Sequence, residues 1–214
     1  MGIGNIERVL GTALTATEAD KLLAARFIPE VRKSLREFYS FANGFLAFHR
    51  ALHVFPLQSD LVPSVWEWNK EAVWHAGYEL THSQYWFFAQ DLFGDQFSLS
   101  PAGEVTRFHI ETARFEVVAQ SLDAWRTEVW SDPDLMVGAG FAEKWSRSYG
   151  PLDMDKRLAP KIPFFLGGAY TFDNLYPTNL LRERLWFNAE LWKKTRDLPD
   201  GTAVELIPYP PDVE

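Results

Sequence analysis

Residues 84–110 constrain the fold most, because three short runs of strand-type residues alternate there with turn signals. The first run is aromatic, the second alternates polar and apolar residues, and Gly or Pro stands in each intervening turn. The predicted strands are 85–90, 95–100 and 104–110, and the predicted turns are 91–94 and 100–103. Strands this short, separated by turns of about four residues, favour an antiparallel meander.

Helical patterns precede and follow this meander. Thr15 and Glu18 have capping-box spacing, and a second helix is predicted from Pro29 to the Asn43-Gly44 pair. Further helices are predicted over 64–78, 122–129, 134–149 and 179–196, and further strands over 51–55, 163–172 and 202–207. Without repeats or linker-like tracts, residues 1–214 are predicted to form a single α+β domain, with a central, mostly antiparallel sheet flanked by helices.

Composition excludes several classes of protein. The chain contains no cysteine, which excludes disulfides, thiol catalysis and cysteine-bound metal. Its net charge of −8 is opposite in sign to the footprint of a nucleic-acid-binding protein, so no direct nucleic-acid contact is expected. No apolar run reaches the length of a membrane span, and no secretion signal is apparent at the N-terminus, so a cytoplasmic location is expected.

An ordered set of short motifs resembles the SUKH superfamily, which includes bacterial immunity proteins and yeast cell-wall assembly regulators. The similar region covers about residues 29–207. The motifs are FYSFANG at 38–44, WFFAQDLFGDQF at 86–97, PFFLGG at 163–168, Asn174-Leu175 and LPDGT at 198–202. Residues 138–162 and the Pro-rich tail match no part of the family pattern.

The resemblance implies an α+β immunity protein that binds a cognate toxin and blocks its active site or substrate entry. It also implies that the chain is not an enzyme and that no catalytic or cofactor residue is inherited. The partner is expected to be a protein toxin, for example a basic nuclease, because an acidic inhibitor associates faster with a basic site. The alternatives are a carboxylate-dependent enzyme and a regulatory protein-interaction scaffold. The oligomeric state is left open.

Five residues are predicted to contact the partner: Glu67, Trp68, Asp91, Asp95 and Glu104. Trp68 lies about 200° from Trp66 on a helix with about 100° per residue, so it is expected either to be exposed or to be partly buried under a loop. An exposed Trp is a frequent interface hot spot, whereas carboxylates at the rim of an interface mainly raise the association rate. Asp91 and Asp95 have two other readings, as a general acid–base pair or simply as stabilisers of a turn.

No metal or other cofactor is predicted. His49 and His53 have the spacing of a helical metal site, but they lie beside a predicted strand, where they would be about 13 Å apart. The Gly167-Gly168 pair lacks the Lys of a phosphate loop, so it is interpreted as a strand bulge or as close packing of the backbone against a helix.

Overall fold

The computed structural model describes residues 6–23, 27, 29–80, 85–179, 181–199 and 201–205, and a seven-stranded antiparallel sheet dominates these residues. Its strands are β1 (Ile6–Val9), β2 (Phe45–Ala47), β3 (Leu52–Val54), β4 (Trp86–Gln90), β5 (Gln96–Leu99), β6 (Val105–His109) and β7 (Arg114–Ala119). They lie side by side in chain order, so each strand pairs with its neighbours in sequence. The predicted meander is therefore confirmed, and it extends to further strands at both ends.

Helices flank this sheet, as predicted for an α+β domain. They are α1 (Ala16–Leu23), α2 (Pro29–Phe41), α3 (Val65–Trp68), α4 (Leu122–Ser131), α5 (Pro133–Val137), α6 (Ala139–Tyr149) and α7 (Leu181–Thr195). A second, two-stranded sheet consists of β8 (Arg157–Pro160) and β9 (Leu175–Thr178). None of the helices in the described part of the chain is both long and apolar enough to cross a bilayer.

Helices α2 and α4 cover one face of the main sheet. The Trp125 ring of α4 meets Phe88 of β4 at 5.0 Å and Phe97 of β5 at 5.3 Å, in both cases edge-on. Phe38 of α2 lies 6.3 Å from both Phe88 and Trp125. Rings in this T-shaped geometry add attraction to the hydrophobic burial, which explains why the aromatic strands hold these two helices.

The opposite face of the sheet packs under the 3-10 helix His75–Tyr78 and under α7. Phe87, which precedes Phe88, lies on the other side of the pleat and meets Trp74 at 4.7 Å. Tyr78 meets Phe108 of β6 at 5.0 Å and Trp192 of α7 at 6.1 Å. The run of Phe residues in β4 thus serves two cores, one on each side of the sheet.

The Asn43-Gly44 pair joins α2 to β2 through a buried side chain. The amide nitrogen of Asn43 donates to the carbonyls of Thr12 (2.8 Å) and Gln58 (3.1 Å). Its oxygen accepts from the Leu57 N–H at 2.8 Å. Gly44 has φ of +68°, and a Cβ there would lie 2.5 Å from the nitrogen of Pro56. The sequence predicts a helix end here, and the structure shows in addition that the Asn43 side chain links the backbone at Thr12, Leu57 and Gln58.

Several predicted elements differ from the structure. The strand predicted over 163–172 is wrong: Phe164–Leu166 and Phe172–Asn174 are 3-10 turns, because Gly167 at φ +91° and a turn at Pro163 bend the backbone. Residues 202–205 are not a strand, and 206–207 lie outside the described residues, as does Gln84. The helix predicted over 134–149 is divided at Gly138, which has φ of +77°.

Candidate functional site

An open cleft with a volume of about 760 Å³ lies where β5 begins and β6 ends. Its floor comes from the 91–95 turn and from the residues that follow β6, and its walls come from α5, α6 and the loop between β8 and β9. The lining includes the charged residues Asp91, Asp95, Arg107, His109, Glu111, Asp134 and Lys144, and the aromatic residues Phe93, Phe141, Phe164, Phe165 and Tyr170.

Asp91 forms the buried corner of the floor. Its Oδ1 accepts the backbone N–H groups of Phe93 (2.9 Å) and Asp95 (3.0 Å), as an Asx turn does. Only 7% of the residue is exposed. Burial raises the pKa of the Asp91 carboxyl, and the neighbouring charge of Asp95 raises it further. The predicted turn-stabilising role of Asp91 is present, and the carboxylate also lines the cleft.

Asp95 connects the start of β5 to the end of β6. Its Oδ1 accepts the Ile110 N–H at 3.0 Å, and its Oδ2 lies 2.7 Å from the Nδ1 of His109. The Nε2 of His109 lies 3.3 Å from a carboxylate oxygen of Glu116. The hydrogen bond to Asp95 is the main reason that the pKa of His109 is raised. His109 is therefore fixed between two acids at the mouth of the cleft.

Two further carboxylates point into the cleft from outside the meander. Glu111 accepts the Phe165 N–H at 3.0 Å through Oε2, and burial raises the pKa of its carboxyl. Asp134 accepts the Gly140 N–H at 2.7 Å through Oδ1. Each acid is thus held by backbone N–H groups. Among the described residues, Asp91, Glu111 and Asp134 have no ion pair within 4.0 Å.

The cations of the cleft have other contacts. The Arg107 guanidinium lies over the Phe97 ring, 5.2 Å from its centroid, and donates to the Met136 carbonyl at 2.5 Å. Lys144 is exposed on α6. Acidic side chains therefore outnumber basic ones, and Arg107 is bound to the wall rather than to an acid.

A stacked pair of rings forms the aromatic wall, which we call the shelf: Phe164 and Tyr170. Their centroids lie 3.8 Å apart and their planes are inclined by 7°. The Phe93 ring meets both edge-on, at 5.4 Å and 5.6 Å. Tyr170 is nevertheless 62% exposed, so the face of its ring that Phe164 does not cover is accessible.

The loop that carries the shelf is fixed by the side chain of Asn174. Its Nδ2 donates to the carbonyls of Ile162 and Ala169, both at 3.0 Å, and its Oδ1 accepts the Ile162 N–H at 2.9 Å. Gly168 passes so close that a Cβ there would lie 1.9 Å from the Ile162 oxygen. Gly168 therefore permits a close approach to the backbone of Ile162 within the loop, whereas the predicted roles of the Gly167-Gly168 pair are a strand bulge or packing against a helix.

The structure does not bring the five predicted contact residues to one surface. Asp91 and Asp95 share the cleft floor. Glu104 lies at the other end of β5 and β6, a distance of about 14 Å along a four-residue strand. Glu67 is exposed outside this cleft, beside a second cavity of about 570 Å³, and its carboxylate caps α3 through Ser64 at 2.8 Å.

The prediction that Trp68 is exposed is wrong. Its side chain stacks on Phe55 at 4.8 Å, and its indole N–H donates to the Gln96 Oε1 at 2.8 Å, which leaves 6% of the residue exposed. The angle between Trp66 and Trp68 predicts exposure only for a helix that buries one face. Instead α3 has only four residues and is packed on two sides, with Trp66 against Trp86 at 5.6 Å.

Sequence reasoning missed Glu111 and Tyr170. Glu111 follows the meander directly, and Tyr170 follows the Gly pair, so each stands beside a recognised turn signal. No spacing rule links them, because 59 residues separate positions 111 and 170. Within the described part of the chain, no three His, Asp or Glu side chains are grouped so that they could hold a metal ion.

No family model and no curated protein matches this chain. The solved structures that are similar in fold include the crystal structure of Atu4351 from Agrobacterium tumefaciens, which matches with a TM-score of 0.54. The match covers 87% of this chain and 85% of the other, at 13% sequence identity. At this identity the likeness concerns the fold alone.

Proposed function

We propose that this chain is an immunity protein, which binds a protein toxin in the cytoplasm and blocks its active site or substrate entry. The observation that carries the proposal is the cleft, an open concave surface with an aromatic shelf and several carboxylates that lack ion pairs among the described residues. The resemblance of the motif set to the SUKH superfamily supports the same function.

The rim of the cleft resembles a protein-binding surface in its exposed apolar residues. Leu135, Phe165 and Tyr170 are all exposed around the opening. Protein interfaces are enriched in aromatic anchors surrounded by polar groups, and the binding energy concentrates in a few of them. The proposed contact surface is therefore the cleft, with Asp91 and Asp95 kept from the sequence prediction.

Charge favours a basic toxin. The net charge of −8 and the excess of acids in the cleft have the same sign, so both attract a positively charged partner. Such steering raises the association rate and makes it sensitive to salt. A nuclease toxin, whose own site must attract phosphates, has the complementary charge. Occlusion of that site would explain inhibition without any chemistry by the immunity protein.

The test is a pull-down from the native cell, followed by co-expression with the protein toxin that co-elutes. The wild-type chain should restore growth to cells that produce the toxin and should form a stable complex with it in purified form. A triple change at the cleft, Asp95→Asn, Glu111→Gln and Tyr170→Ala, should abolish the protection while the circular dichroism spectrum is retained. Unchanged protection by that variant, or no protection by the wild type, would refute the proposal.

A carboxylate-dependent enzyme is the second candidate, and one observation favours it. The raised pKa of the Asp91 carboxyl, next to the hydrogen-bonded pair of Asp95 and His109, resembles the environment of a general acid. A turnover number that depends on Asp91, measured on toxin-free protein against a panel of hydrolase substrates, would favour this candidate over binding alone.

A further inference from the structure

The cleft combines an aromatic ring on which a planar cation could stack with carboxylates that could pair with its charge. We propose that the cleft binds the guanidinium of an arginine side chain that the toxin presents, stacked on the free face of Tyr170 and paired with Glu111 and Asp91. This inference rests on the proposed function, because it names the group by which the toxin is recognised.

The charges of Glu111 and Asp91 favour a cation in this cleft. Glu111 and Asp91 are each fixed by backbone N–H groups and have no ion pair among the described residues. Burial raises the pKa of both carboxyls and outweighs the charge of Arg107, which lowers that of Asp91, and of Arg184, which lowers that of Glu111; burial therefore disfavours their ionised forms. A cation that entered would offset this penalty, because an opposite charge within about 4–6 Å favours the ionised form.

The flat, accessible face of Tyr170 favours a planar cation. Guanidinium is flat and stacks on aromatic rings, whereas the ammonium of lysine is a compact, strongly hydrated point charge. Phe164 covers one face of Tyr170 at 3.8 Å, and the other face is exposed. The pKa of Tyr170 is raised by burial and additionally by the carboxylates of Asp95, Glu111 and Asp91, so its hydroxyl lies within their field. A flat cation on this ring would be attracted by both the ring and the acids.

Hydrogen bonds and ring contacts hold the shelf and Glu111 in a fixed arrangement. Asn174 fixes the loop of the shelf through three hydrogen bonds, and Phe93 supports both rings edge-on. Glu111 itself bonds to this loop at Phe165, so the acid and the shelf hold a fixed relation. A site that is ordered before binding loses less conformational entropy when the ligand arrives.

The chemistry can be tested without the toxin, by titrating the labelled protein with blocked pentapeptides and following NMR signals. The peptides carry a central arginine, its neutral isostere citrulline, or lysine, with glycine elsewhere. The arginine peptide should shift the ring signals of Tyr170 and the imidazole signals of His109. Citrulline should bind at least about tenfold more weakly, which corresponds to the loss of about 1.4 kcal/mol, and lysine should lie between the two.

Variants of the protein separate stacking from charge. Tyr170→Phe keeps the ring and should bind the arginine peptide as wild type does, whereas Tyr170→Ala should weaken binding about fivefold to tenfold. Glu111→Gln keeps an acceptor for the Phe165 N–H and should weaken binding by about tenfold. Glu104→Gln is the control: it removes the same charge about 14 Å away and should change the affinity less than twofold.

The outcomes distinguish this inference from the proposed function. Equal binding of the arginine and citrulline peptides, or affinity unaffected by both Glu111→Gln and Tyr170→Ala, overturns the arginine site even if the toxin is neutralised. Selective arginine binding that follows the variant order supports it, even if no protein toxin proves to bind.

Discussion

Replacing Asn174 should lower the free energy of unfolding, because its side chain holds the loop of the shelf by three hydrogen bonds. Asn174→Ala removes three hydrogen bonds of 2.9–3.0 Å that hold the loop. Each is worth about 1 kcal/mol net when its partners stay buried. These partners lie near the surface and can regain water, so we expect the free energy of unfolding to fall by about 2 kcal/mol rather than about 3.

Asn174→Asp makes the comparison sharper, because it has nearly the same shape. The Oδ1 acceptor for the Ile162 N–H is kept, but a carboxylate oxygen replaces the amide that donates to two carbonyls. Oxygen atoms about 3 Å apart without a proton repel, so this variant should be less stable at pH 7 than Asn174→Ala. At pH 3 the protonated carboxyl can donate to one carbonyl, so the difference should shrink.

Urea unfolding followed by Trp fluorescence measures both variants, because the chain contains nine Trp residues. Ser40→Ala is a suitable control, since it removes a single exposed hydrogen bond, to the Glu37 carbonyl, far along the chain. The structural role of Asn174 is refuted if Asn174→Ala lowers the free energy of unfolding by less than about 0.5 kcal/mol, or if Asn174→Asp is the more stable of the two variants at pH 7.

Three further changes have defined outcomes. Gly44→Ala should lower the free energy of unfolding by more than about 2 kcal/mol, because its Cβ would meet Pro56 at 2.5 Å and φ is positive; an unchanged melting temperature would contradict this. The pKa of His109 is raised by Asp95, so the pair stabilises the fold fully below the unfolded pKa of His, near 6.5, and this stabilisation is lost as the pH rises through the folded pKa. His109→Gln should therefore destabilise more at pH 5.5 than at pH 8.5, by about 1 kcal/mol, and an equal loss would exclude the ion pair. Trp68→Phe should lower the free energy of unfolding by about 1–2 kcal/mol through loss of its indole hydrogen bond, and no loss would show that water replaces it.

The parts of the fold that the sequence predicts are those governed by local rules. The meander follows from alternation and turn residues, and the Asp91 turn follows from the preference of Asp to bond nearby N–H groups. Strand β7 was missed although it adjoins the meander, because its alternation is weak and its outer side is exposed. The strand predicted over 163–172 is wrong because Gly167, with φ of +91°, and the turn at Pro163 bend the backbone.

The site was less predictable than the fold, and Trp68 shows why. Its exposure was derived from helical angle alone, but the two-sided packing of α3 depends on Phe55 and Gln96, which are distant in sequence. Asp91 and Asp95 were found because one turn contains both. Glu111 and Tyr170 join them only through tertiary packing, for which a single sequence holds no periodic signal.

The neighbour-to-neighbour order of the seven strands has a consequence for the order of assembly. The β2–β3 pair and the strands from β4 to β7 are joined by short connections, so these hairpins can form from local contacts, which is typical of faster folding than long-range pairing. The β1–β2 and β3–β4 pairs instead close over residues 10–44 and 55–85. The cleft differs, because it needs the 91–95 turn to meet a loop about seventy residues later in the chain. We therefore expect a nascent chain to form the β4–β7 hairpins before the cleft is complete. During synthesis, the cleft would form only after Asn174 has left the ribosome and fixed the shelf.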